Sequence, residues 1–175
     1  MEIRIEEKSS EQQLKEFVNV VYYMKRLIKL PSKRITDLFV TSYLMIALAA
    51  VFTCVTIALL IIDKDPMLFT LLLAYVLIFV FYGKSLMGMK HMLKLLKENQ
   101  SSAVLSLNED GVSLVKEDVS TKTAWGNVLA IREFKENVVF IPTNETKAII
   151  SVDKRYGEKI ETYIRDNEIT VQFIK

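Results

Sequence analysis

One histidine, His91, and one cysteine, Cys54, are the only imidazole and thiol in the 175-residue chain. A zinc centre built from His and Cys draws on three or four such ligands, so this pair cannot make one. A Ser-His-Asp set would have only His91 to use, and no Gly-x-Ser-x-Gly elbow is present. The five glycines stand singly and form no loop that could cradle a phosphate. Glu133, Glu136, Asp153 and Glu158 fall at expected strand ends and turns, where solvated charge is the ordinary explanation. No catalytic residue, metal ligand or cofactor-binding residue is assigned, and the chain is expected not to be an enzyme.

The chemistry that does stand out is positive charge. Lys25, Arg26, Lys29, Lys33 and Arg34 come before two long apolar runs, and Lys84, Lys90, Lys94 and Lys97 come after them. Residues 24–97 hold ten Lys/Arg against three Asp/Glu, whereas residues 98–175 hold ten against thirteen. The overall charge of +2 therefore hides a basic zone flanked by acidic ends. Anionic lipid attracts each such residue by about 1 kcal/mol. These nine side chains are assigned to lipid headgroups and topology. No basic stripe with interleaved aromatics appears in the tail, so nucleic acid is not expected as a partner.

The runs themselves set the architecture. Residues 38–62 are twenty-five without a charge, and residues 66–83 are eighteen more, separated only by Asp63-Lys64-Asp65. A hydrocarbon core about 30 Å thick takes roughly 20 helical residues. The three-residue loop forces the helices antiparallel. The loop carries one Lys between two Asp while the flanks are basic, and cytoplasmic flanks carry the Lys/Arg excess. A two-pass hairpin with both termini cytoplasmic is expected. A buried helical pair in a soluble protein is the competing reading, but such core segments usually run to about 10–14 residues. Cys54 lies mid-span and reads as a small apolar residue. The first thirty residues show no apolar core with a cleavage site, so the first span is expected to act as its own insertion signal.

The elements around the hairpin divide the chain further. Ile3 and Ile5 alternate with charge in residues 2–6, which reads as a short strand. Ser10 and Gln13 offer a capping box, and Leu14, Phe17, Val18, Val21 and Tyr22 then make one helical stripe that Pro31 should end or kink. Past the second run, Leu86, Met89, Leu93 and Leu96 share a face opposite Lys90, Lys94 and Lys97. This amphipathic stretch is expected to pair with the stripe of residues 14–28 or to lie among headgroups. From residue 103 the period becomes that of strands, expected at 103–107, 112–116, 120–125, 128–134, 138–143 and 147–152. Asp110-Gly111 suggests a turn with positive φ. Tyr156, Ile160, Tyr163 and Ile164 follow at helical spacing, and Val171, Phe173 and Ile174 suggest a last strand. The fold class is α+β. The segments are an N-terminal strand and amphipathic helix (1–30), membrane helices at 35–62 and 66–89, an extension and linker (90–102), and a small antiparallel sheet with a C-terminal helix (103–175). Isolated strands and short helices are unstable alone, so residues 2–28 should pack with the tail, the strand on a sheet edge. Trp125, the only tryptophan, is expected as a core plug between that sheet and the terminal helix.

The order of these elements, with Glu109-Asp110-Gly111-Val112, Trp125-Gly126-Asn127-Val128 and Ile150-Ser151-Val152-Asp153-Lys154-Arg155-Tyr156, resembles the bacterial YcxB-like membrane protein family. The resemblance spans nearly the whole chain in layout, although the proline of that family's last motif is missing here. It implies a pleckstrin-homology-like tail and a membrane-tethered cytoplasmic domain in the bacterial inner membrane, and it brings no catalytic residue. Two function classes remain. One is a non-catalytic binding or regulatory module whose partners are the bilayer and either a cytoplasmic protein or a second copy. The other is a self-immunity protein against a membrane-acting toxin or bacteriocin.

Overall fold

Ile3 and Ile5 point to one side of a strand too short to stand alone, and they find their partner beyond the hairpin. In the computed structural model, which describes all residues except 6, 7, 64, 117 and 118, β1 (Glu2–Ile5) pairs antiparallel with β2 (Ala103–Leu107), Ile3 opposite Leu105. Glu6, expected to close the first strand, and Lys64, expected in the loop, lie outside the described residues. The chain forms two compact units, Met1–Ile35 with Leu96–Lys175, and Thr36–Leu95.

The first unit holds two four-stranded sheets where the sequence suggests one. Sheet one runs β1-β2-β3-β4, with β3 (Gly111–Lys116) and β4 (Val119–Ala124). Sheet two runs β7-β6-β5-β8, with β5 (Val128–Glu133), β6 (Asn137–Pro142), β7 (Ile150–Asp153) and β8 (Gln172–Ile174). The break comes at Trp125–Asn127, a single 3₁₀ turn between β4 and β5. The strand expected at 120–125 therefore stops at Ala124, and the chain leaves one sheet for the other. The last strand also departs from a purely antiparallel plan, because β8 joins β5 in parallel. The strand expected at 147–152 starts late. Asn144 Oδ1 accepts from the Thr146 backbone N–H at 3.2 Å and from its hydroxyl at 2.8 Å, so a local turn occupies these residues.

Gly111 is needed for a different reason from the expected one. Among the described residues no glycine has positive φ. A Cβ at Gly111 would instead lie 2.2 Å from the Thr123 carbonyl oxygen, so only glycine lets β3 and β4 approach here.

Strand β6 explains the layering. All six of its residues are buried. Successive side chains face opposite sides of a strand. Val138 and Phe140 join Leu105, Leu107 and Val112 of sheet one and Ile160 and Ile164 of α4 (Gly157–Asp166) in one core. Val139 and Ile141 face the other way, onto Val20, Met24 and Leu27 of α1 (Glu11–Lys29). Sheet two is thus covered on both faces. The buried stripe of α1 is Leu14, Val18, Val20, Met24 and Leu27. It is rotated from the expected one, and Tyr22 is exposed. The capping box is present as read: Ser10 Oγ accepts from the Gln13 N–H at 3.2 Å and Gln13 Oε1 from the Ser10 N–H at 2.6 Å. The helix stops at Lys29, two residues before Pro31.

The second unit is built on α2 (Leu38–Ile62) and most of α3 (Pro66–Glu98). Asp37 Oδ1 accepts from the Phe39 N–H at 2.9 Å, and Asp65 Oδ1 from the Met67 N–H at 2.8 Å, so a carboxylate caps each start. Two contacts show the antiparallel pairing. Lys90 Nζ lies 5.3 Å from the Tyr43 ring centre, and Phe52 and Tyr75 stack with centroids 5.6 Å apart. Ser42, Ala49 and Thr56, seven residues apart, are buried, as are Leu86, Met89 and Leu93. Both helices are long and apolar enough to cross a membrane. Most of their large side chains, including Phe52, Phe69 and Phe81, are exposed. A soluble protein rarely presents so continuous an apolar surface. At 33 residues α3 is about 50 Å long, which exceeds a hydrocarbon core.

Candidate functional site

The first helix is locked to sheet two by a polar seam at one end. Glu16 lies off the apolar stripe. Its carboxylate accepts from the Lys135 and Glu136 backbone N–H groups and from Asn137 Nδ2, each at 2.9 Å. Asn137 is only 5% exposed, and its Nδ2 also donates to the Gln13 carbonyl at 3.0 Å. Gln13 Nε2 donates in turn to Asp153 Oδ2, while Asp153 Oδ1 accepts from the Arg155 N–H at 2.8 Å. Buried polar groups require such partners. A cavity of about 310 Å³ opens beside the seam, walled by Ile5, Leu14, Phe17, Leu114 and Val152, with Gln13, Asn137 and Asp153 among its polar residues. These three are bonded to one another, so their polarity serves the docking of α1.

Of the four carboxylates expected at strand ends and turns, Glu133 and Asp153 have structural partners. Glu133 pairs with Lys154 at 2.9 Å, an interaction that raises the Lys154 pKa. Asp153 caps the 3₁₀ turn Lys154–Tyr156. Glu158 is exposed in the first turn of α4. Among the described residues no group of three His, Cys, Asp or Glu could hold a metal.

The nine basic residues fall in both units. Lys25 lies 3.4 Å from Glu145, and the Arg26 guanidinium lies 5.7 Å from the Tyr23 ring centre. Lys29, Lys33 and Arg34 are exposed at the end of α1 and in the linker beyond it. Lys84, Lys90 and Lys94 are exposed on α3 in the second unit. Lys97, back in the first unit, lies 2.8 Å from Glu11. Lys15 and Lys97 hold the Glu11 carboxyl down at about 2. That depressed value keeps the contact intact from neutral pH down to about 2, though solvent screens so exposed a pair.

One residue gathers the linker. Arg132 on β5 donates from Nη1 to the Pro31 carbonyl at 2.9 Å and to the Lys33 carbonyl at 2.5 Å. Its guanidinium carbon sits 4.5 Å from the Phe134 ring centre. Burial lowers its pKa, and Nε is buried without a hydrogen-bond partner. Glu16, Asn137 and Arg132 were not singled out by sequence reasoning, because nothing local marks a contact to residues so distant in the chain.

Trp125 is half-buried and packs on the rim of the main core, its Nε1–H donating to the Asn108 carbonyl at 2.9 Å. It closes the turn between the sheets and is not a central plug. Trp125→Ala is therefore expected to lower stability by about 2 kcal/mol, less than the roughly 3–5 of a fully buried Trp. Urea titration of the full chain in detergent, followed by circular dichroism, checks this. An unchanged midpoint with loss of a binding activity would make Trp125 a recognition residue.

A scan against protein-family models finds no match, and no curated protein or solved structure matches the chain.

Proposed function

We propose that the chain is a membrane-anchored, non-catalytic binding module of the bacterial cytoplasmic membrane. Its two apolar helices cross as a hairpin, and its two flanks close into one cytoplasmic domain. The observation that carries this reading is the pairing of β1 with β2. Those strands lie on opposite sides of the hairpin in the chain, so they can meet only if the intervening segment crosses the bilayer an even number of times. Two candidate spans satisfy that requirement, and the basic flanks favour the cytoplasmic side. A pleckstrin-homology-like plan for this domain rests on its two four-stranded sheets and on α4, which contributes Ile160 and Ile164 to their shared core.

The domain is made of both flanks, so a binding test uses the full chain and not residues 98–175. Photo-crosslinkers placed at the exposed Lys122 on β4 and Lys159 on α4, in native membranes, test the reading. A discrete adduct with one cytoplasmic protein or with a second copy is expected, and it should vanish when the domain is unfolded by a core substitution. No adduct, together with sensitivity to a membrane-acting toxin when the chain is removed, would replace this reading with self-immunity.

A further inference from the structure

We propose that Arg132, with Lys33 and Arg34 of the linker it holds, forms a binding site for a phosphate group supplied by an anionic phospholipid. The inference rests on the membrane reading above, because only four residues separate Lys33 from Leu38, where the first apolar helix begins. A linker entering a bilayer at that point lies at headgroup level.

The geometry at Arg132 is that of a cation awaiting its counter-charge. Nη1 is engaged by the Pro31 and Lys33 carbonyls, which fix the plane of the guanidinium, and Phe134 supports one face. Nε is buried without a partner, so the donor left for an outside anion is Nη2, which makes no hydrogen bond among the described residues and is not a buried atom. Among the described residues no carboxylate pairs with Arg132. A partly buried cation normally has an anion beside it, because carbonyl dipoles alone do not offset lost hydration. A guanidinium carries five donors in a planar fork, a geometry suited to phosphate oxygens. Lys33 and Arg34 are exposed beside it and also form no ion pair among the described residues. The linker thus brings two further positive charges to the point where Arg132 holds its backbone.

The test uses the full chain in nanodiscs of phosphatidylcholine alone or with one part in five phosphatidylglycerol. Lipid retained after detergent exchange is counted by native mass spectrometry. The unaltered protein is expected to keep phosphatidylglycerol in preference to phosphatidylcholine. Arg132→Lys, which retains the charge but not the fork, is expected to reduce that preference about tenfold. Lys33→Gln with Arg34→Gln, at exposed positions that do not support the fold, should reduce it similarly with an unchanged melting temperature. This pair decides the matter if the Arg132 variant unfolds. Retention equal to that of the unaltered protein in both cases overturns the site. So does an equal loss from Lys25→Gln with Lys29→Gln, which would mean general attraction only. Competition by inorganic phosphate with no preference between the lipids would overturn the lipid assignment. Release of the unaltered chain by alkaline carbonate would instead overturn the membrane reading, independently of these counts.

Discussion

Phe140→Ala is expected to destabilise the first unit by about 3–5 kcal/mol, the usual range for truncating a buried phenylalanine. Phe140 is 2% exposed at the centre of β6, opposite Ile131 on one side and Ile150 on the other. Its ring belongs to the core shared by both sheets and α4, so close packing cannot collapse readily into the space left behind. A domain of this kind has roughly 5–15 kcal/mol in total, and such a loss removes a large part of it. Trp125, the only tryptophan, sits on the rim of the same core and provides the probe. Its fluorescence during urea titration should report a lower midpoint with an unchanged slope. Phe52→Ala serves as the control. Phe52 is exposed on α2, and its loss should leave that midpoint in place. A cost below about 1 kcal/mol at Phe140 would contradict a core common to the two sheets.

Glu16→Ala is expected to cost about 2–4 kcal/mol. The substitution removes the acceptor of three hydrogen bonds at once, two from the backbone of the β5–β6 turn and one from buried Asn137. Water can reach the turn but not easily the amide of Asn137, so the larger share of the loss should come from there. Glu16→Gln should fall between, since the amide keeps one accepting oxygen but turns a donor toward other donors. The same fluorescence titration checks both. If Glu16→Ala shifts stability by less than about 0.5 kcal/mol, the seam does not hold α1.

The contrast between Ser10 and Glu16 shows what could be read from the chain. The capping box joins residues three positions apart, so its partners are visible in one turn of sequence. The two long helices are equally local, their length and lack of charge being enough. The period-2 pattern after residue 103 located the strands to within a few residues. It did not show that they divide between two sheets, because the division depends on the short turn at Trp125–Asn127 and on packing between distant segments. Glu16 meets Glu136 across 120 residues, and Arg132 meets Pro31 across 101. Neither contact leaves a periodic signal. The rotated stripe of α1 has the same origin: Val139 and Ile141 of β6 select which of its apolar residues are buried.

The central claim is that one cytoplasmic domain is assembled from both sides of a membrane hairpin. Single-cysteine labelling in intact cells tests it most directly, with Cys54→Ala as the background. Asp63→Cys, at the end of α2, should react with a membrane-impermeant maleimide before the cells are opened. Ser9→Cys and Glu109→Cys, exposed on the two flanks, should react only after permeabilisation. Labelling of either flank in intact cells, or protection of Asp63→Cys until the cells are opened, would contradict the account.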